Sequence, residues 1–194
     1  MEVNLTQELL FDWYSLLNQG YTFTATGNSD THRLKGSEVG QLRNYVHAGT
    51  DDPRAVSPKA LVDLLRAHRS TWSSGPFLTM EVNGRAQIGD LLTDTDRVVD
   101  VHVRVQAAPW MDVDFVEVIG NGLPLAHLPI PPSVSVIRLD TTVSLRLTED
   151  TWLVGTALGD TVAAPAQDEH PAAFTNPVWV DVDGNGRFDP PGLF

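Results

Sequence analysis

The chain has 194 residues, a formal net charge of −12 and no cysteine. That length can bury a sizeable core, and its ordinary apolar content excludes an intrinsically disordered chain. The negative charge argues against nonspecific binding to nucleic acid or an anionic membrane, and the missing thiols exclude disulfides and Cys-type zinc sites. No apolar run approaches the ~20 residues that span a bilayer, so no membrane insertion is expected. The N-terminus, MEVNLTQELL, has no signal-peptide pattern. Cysteine usage leaves the compartment open, with an extracellular or periplasmic one favoured over the cytoplasm. For an exported parent protein the targeting segment would lie outside this chain.

Helical signals dominate before about Trp72. A first helix is expected from about Thr6 to Leu17, with Thr6 as cap, Gln7 and Glu8 at the positive end of the dipole, and an apolar stripe of Leu9, Leu10, Trp13, Leu16 and Leu17. Gly20 is the expected left-handed stop. YTFTAT follows as a short buried strand, leading into the polar turn GNSDTH. A second helix begins at Ser57-Pro58, buries Leu61, Leu64 and Leu65, and ends near Thr71.

After Gly75 the period becomes two. FLTMEV-NG-RAQI is a hairpin with an Asn-Gly turn. In VVDVHVRVQA, Val99, Val101, Val103 and Val105 face one way and Asp100, His102, Arg104 and Gln106 the other. DFVEVIGNG, SVSVIRL, TVSLRLTEDTWLVGTAL and NPVWVDVDG continue the series. The apolar phase slips between Val136 and Ile137, which calls for a bulge or bend. AAPAQDEHPAAF reads as a surface loop. Trp72, Trp110, Trp152 and Trp179 are read as core residues in preference to a carbohydrate platform.

Two segments carry metal chemistry. Asp30 and His32 are two residues apart, so in extended backbone both project to one side and can reach one ion. A carboxylate and an imidazole suit zinc, manganese or iron, but a catalytic zinc takes three protein ligands, and His47, His68, His102, His127 and His170 show no ligand spacing. Near the C-terminus, DVDGNGRFD places Asp181, Asp183, Asn185, the Arg187 carbonyl and Asp189 at alternate positions around a glycine-rich turn. Oxygen donors in that pattern are what calcium needs, and the stretch resembles the first nine positions of an EF-hand or dockerin loop. Position twelve is Gly192 where a bidentate glutamate belongs, and a strand precedes the loop where an EF-hand has a helix.

GNSDTHRLKGSEVGQLRNYV, TWSSGPFLTMEVNG and FTNPVWVDVDGNGRF together resemble the C-terminal part of PHP-type metal-dependent phosphoesterases, closest to the CehA/McbA-like branch. The resemblance implies that Gly27, Ser29, Asp30 and His32 correspond to the family's last metal motif, Gly-x-Ser-Asp-x-His. It implies a parent hydrolase that cleaves phosphoesters with a metal-activated water. The family's opening His-x-His motif is missing, so this chain by itself is expected to be inactive. Arg43 is a candidate for facing substrate in such a parent.

The expected architecture is α+β: residues 1–74 as a small helix-and-strand remnant of a PHP β/α barrel, then residues 75–194 as an antiparallel, immunoglobulin-like β-sandwich. The expected partners are the missing N-terminal barrel or a second copy of the chain. The alternative function is a non-catalytic β-sandwich module for binding or scaffolding, stabilised by calcium.

Overall fold

The computed structural model describes residues 5–32, 39–162 and 170–193. Helix α1 (Leu5–Asn18) ends where Gly20 takes φ +85°, with the Tyr21 N–H on the Leu16 carbonyl and the Gly20 N–H on that of Leu17. The expected cap at Thr6, with Gln7 and Glu8, lies outside the described side chains. YTFTAT is not a strand. Two asparagine side chains bond the backbone here, one within YTFTAT and one at the Gly27 that follows it. Asn176 Oδ1 accepts from the Ala25 N–H (2.8 Å) while its Nδ2 donates to the Ala25 carbonyl (3.0 Å). Asn44 treats Gly27 the same way, at 2.9 and 2.8 Å.

Strands β1 (Arg43–Val46) and β2 (Ser70–Ser73) are linked through a 3₁₀ turn (Pro53–Ala55) and helix α2 (Pro58–Arg66). Ser57 caps α2 by accepting from the Ala60 N–H (3.1 Å). The helix stops at Arg66 instead of Thr71 because His68 adopts φ +60° and the Arg69 N–H turns back to the Leu64 carbonyl. Such a φ is unfavourable for a residue with a Cβ. Here Thr24 Oγ1, 2.9 Å from His68 Nδ1, and an edge-on contact with Trp179 hold the imidazole in place. Leu64 and Leu65 are half-buried and Leu61 is exposed.

The remaining strands are β3 (Phe77–Val82), β4 (Ala86–Gln87), β5 (Leu91–Thr93), β6 (Val98–Gln106), β7 (Phe115–Gly120), β8 (Leu123–Pro129), β9 (Ile137–Arg146), β10 (Thr151–Leu158), β11 (Ala172–Thr175) and β12 (Val178–Asp181). Asn83 and Gly84 both have positive φ in the β3–β4 turn, as a type I′ hairpin requires. β11 arises from the end of AAPAQDEHPAAF, whose first part lies outside the described residues.

Two sheets result. One has the order β4-β3-β6-β9. The other has eight strands centred on β10. β7 and then β8 flank one edge of β10. On the other edge, β12 pairs with its N-terminal half and β11 with its C-terminal half. β11 continues to β2 and β1, while β12 continues to β5, with which it pairs in parallel. Leu78, Met80 and Val82 of β3 and the four β6 valines meet Val116, Val118, Leu153, Val178 and Val180 of the second sheet to form the main core. Each of those β6 valines is fully buried, worth roughly 1.5–3 kcal/mol apiece. A one-residue slip would bury His102 and Arg104 in their place, so the register is strongly fixed. A second cluster lies on the outer face of the larger sheet. There α1 contributes Trp13 and Leu17, which pack on Ile119, Trp152, Val154 and Trp179. Trp72 is buried as well, stacked on Phe174, whereas Trp110 stands 60% exposed.

This architecture corrects the expected one. The chain is not an α+β assembly of a β/α-barrel remnant and an immunoglobulin-like sandwich. Among the described residues there are two open, mostly antiparallel sheets, with only two α-helices and no barrel. The reason lies in partner choice. β1 and β2 form an antiparallel pair that extends the sheet of β11, whereas barrel strands would run parallel with helical crossovers. Nor do these sheets hold the four and three strands of an immunoglobulin-like sandwich: the larger holds eight, β1 and β2 among them.

Candidate metal centre

Among the described residues, Asp30 and His32 gather no further ligand. Gly27 packs closely on Trp72: a Cβ there would come 3.0 Å from Trp72 Cβ. Beyond it the backbone turns, with Asp30 at φ +45° and Thr31 Oγ1 donating to Ser29 Oγ at 2.9 Å. The His32 ring bonds back to the Asp30 carbonyl, and its Nδ1 is 3.8 Å from Asp30 Oδ2. Both side chains point to solvent, at 93% exposure for Asp30 and 63% for His32. No third carboxylate or imidazole joins them among the described residues. Arg43 opens β1 with an exposed side chain that reaches the Gln41 carbonyl at 3.4 Å.

The C-terminal loop is built differently. Asp181, the last residue of β12, is fully buried. Its Oδ1 accepts from the Gly184 N–H (2.7 Å), and its Oδ2 accepts from the Gly186 N–H (2.8 Å) and the Thr93 hydroxyl (3.0 Å). Gly184 and Gly186, at φ +77° and +83°, let the backbone fold over that carboxylate. Burial pushes the Asp181 carboxyl up. The N–H of Gly186, the Thr93 hydroxyl and the N–H groups of Gly184 and Asn185 outweigh this, leaving it below the ordinary carboxylate value. Its contribution to loop stability is therefore complete above the unfolded value of about 3.9 and is lost as pH falls through the lower folded value. The Gly184 and Gly186 amide resonances should titrate with a midpoint below about 3.9, and a midpoint above it would contradict this account.

With Asp181 spent on backbone donors, other carboxylates converge. One oxygen each from Asp150, Asp183 and Asp189 lies within 4.8 Å of the other two. Asp150 is buried, Asp189 half-buried and Asp183 exposed. Asp183 Oδ1 accepts from the Asn185 N–H (3.0 Å) and Asn185 Oδ1 from the Arg187 N–H (3.0 Å), a relay of turns along the loop. Asn185 Nδ2 bridges Asp183 Oδ2 (3.2 Å) and Asp189 Oδ2 (2.6 Å). The Arg187 guanidinium pairs with Asp189, Nε to Oδ1 at 2.9 Å. Gly192, in the place of a twelfth-position glutamate, donates its N–H to the Asn18 carbonyl (2.8 Å) and ties the tail to the end of α1.

Asp150 is the member that sequence reasoning missed. It ends the turn before β10, and Thr151 lies opposite Val180 in the β10–β12 pair. Antiparallel continuation by one residue sets Asp150 beside Asp181. Its Oδ1 accepts from the Val182 N–H and its Oδ2 from the Asp189 N–H, both at 2.9 Å. The signal was a long-range strand pairing, which local periodicity does not carry.

The donor set fits a hard cation. Calcium–oxygen distances of about 2.3–2.6 Å allow ligand oxygens to stand up to roughly 5 Å apart across the ion, which the 4.8 Å limit satisfies. All three donors are carboxylates, and no histidine belongs to the group, so the chemistry suits a hard cation such as magnesium, calcium or manganese better than zinc. Compared with known proteins, the chain matches no family model, no curated protein and no solved structure.

Proposed function

We propose that the protein is a non-catalytic β-sheet module, a binding or scaffolding unit whose C-terminal loop is clipped by calcium. The convergence of Asp150, Asp183 and Asp189 from two separate chain segments carries this reading. A bound ion would neutralise their mutual repulsion and fasten the β9–β10 turn to the loop after β12. Asp30 and His32 supply two donors where a catalytic zinc takes three, which weighs against hydrolysis by this chain.

Gly192 cannot supply a carboxylate, so affinity should fall in the weak range of extracellular modules, about 0.1–1 mM. Ten millimolar calcium should then add roughly 1.4–2.7 kcal/mol to the unfolding free energy by mass action. For a chain of this size that raises Tm by about 3–10 °C over the chelated protein. Calorimetry with calcium, magnesium and EDTA checks this. An unchanged Tm, or phosphoesterase turnover with manganese or zinc that Asp30→Ala abolishes, would overturn the reading.

A further inference from the structure

The phase slip in SVSVIRL is a β-bulge. Val105 pairs with Leu139 and Gln106 with Ile137, leaving Arg138 as the extra residue of β9. The bulge inverts the usual polarity: Ile137 is left 43% exposed while Arg138 is 8% exposed. Arginine is rarely buried unless paired, yet no carboxylate of the described residues lies within 4.0 Å of its guanidinium. Nη2 donates to the carbonyls of Ala108 (2.7 Å) and Met111 (2.8 Å), which pins the chain between β6 and β7. Nε is enclosed with no partner, and Nη1 has no acceptor among the described residues.

Arg138 lines a cavity of about 200 Å³ together with Asp112, Asp114, Ser133, Pro131 and Pro132. Asp114 is held by the Asp160 N–H (2.6 Å), whereas the Asp112 carboxylate is exposed and makes no protein hydrogen bond among the described residues. The lining thus offers an unpaired buried cation and two carboxylates that do not neutralise it. A simple anion would meet the repulsion of Asp112 and Asp114, and a simple cation that of Arg138. A molecule carrying both charges satisfies both. The volume is below that of a drug-sized pocket and suits a compact metabolite.

We propose that this cavity binds a small α-amino acid, its carboxylate on Arg138, its ammonium on Asp112 and Asp114, and its side chain against Pro131 and Pro132. The site is separate from the calcium loop and stands whether or not that loop takes an ion.

The test is an amide chemical-shift titration of the full chain in EDTA, so that the loop contributes nothing, with L-alanine, acetate and methylammonium as probes. L-alanine should give saturable shifts at residues 112–114, Ser133 and Arg138, and should bind about tenfold or more tighter than either single-charge probe. Arg138→Gln should abolish those shifts. Because that variant also loses two bonds to backbone carbonyls, Asp112→Asn serves as a second. It has no protein partner to lose, and it should weaken L-alanine while strengthening acetate. The proposal is overturned by the absence of saturable shifts at about 100 mM L-alanine, by acetate binding as tightly as L-alanine, or by indifference of both probes to Asp112→Asn.

Discussion

Replacing Trp152 by alanine is expected to lower the unfolding free energy by about 3–5 kcal/mol, a large part of the 5–15 kcal/mol that holds a typical domain together. Trp152 is fully buried on the outer face of β10, with its ring centroid 5.1 Å from that of Tyr14 on α1. Its Nε1 donates to Asn18 Oδ1 (2.7 Å), and the buried Asn18 donates from Nδ2 to the Asn121 carbonyl (3.2 Å). Asn121 in turn accepts from the Trp152 N–H (3.1 Å) and donates to the Asp150 carbonyl (2.9 Å). The ring therefore closes a circuit joining α1, the β7–β8 turn and β10. Alanine leaves both a cavity and an unsatisfied buried acceptor. Trp152→Phe keeps most of the apolar contact and loses only the hydrogen bond, so it should cost about 1–3 kcal/mol. Urea unfolding of both variants checks the pair. A loss under about 1 kcal/mol for the alanine variant would mean that α1 does not depend on this face.

What the sequence made legible follows from the range of the interaction responsible. The β6 valines, the Asn83-Gly84 turn and the Gly20 stop are specified by residues within a few positions of one another, and each is found as read. The bulge was also readable, from a phase slip one residue away from Arg138. YTFTAT has a strand-like composition, but its Ala25 backbone pairs with the side chain of Asn176, 151 residues further on, and its Phe23 carbonyl accepts from the Trp13 indole. The end of α2 is set by a left-handed histidine that Thr24 and Trp179 hold in place, again across the chain.

The barrel reading failed for the same reason. A motif such as GNSDTH carries no record of which strands flank it, and here Gly27 packs on Trp72 and pairs with Asn44. The C-terminal loop was half legible. The alternation of oxygen donors from Asp181 to Asp189 is local, and two of its members, Asp183 and Asp189, do converge. Asp181 was placed among the ligands by periodicity alone. Its complete burial under two glycine N–H groups and a threonine hydroxyl gives it a different task, that of shaping the loop. The third converging carboxylate comes from a turn 32 residues before Val182, whose N–H it accepts.

Asp150 should therefore behave unlike the other two converging carboxylates. In chelator, Asp150→Ala strips acceptors from the buried Val182 N–H and from the Asp189 N–H, at a cost of about 2–4 kcal/mol. Asp183→Asn keeps an oxygen for the Asn185 N–H on an exposed side chain and should stay within about 0.5 kcal/mol of the parent. In calcium the ranking changes. Both variants lose a charged donor, so the rise in Tm produced by 10 mM calcium should shrink sharply in each, whatever the starting stability. The two roles of Asp150 thus separate into a metal-independent loss seen in EDTA and a metal-dependent loss shared with Asp183. If Asp183→Asn kept the full calcium increment, the three carboxylates would be neighbours through folding alone. If Asp150→Ala were neutral in chelator, the β9–β10 turn and the C-terminal loop would be held together by something other than this side chain.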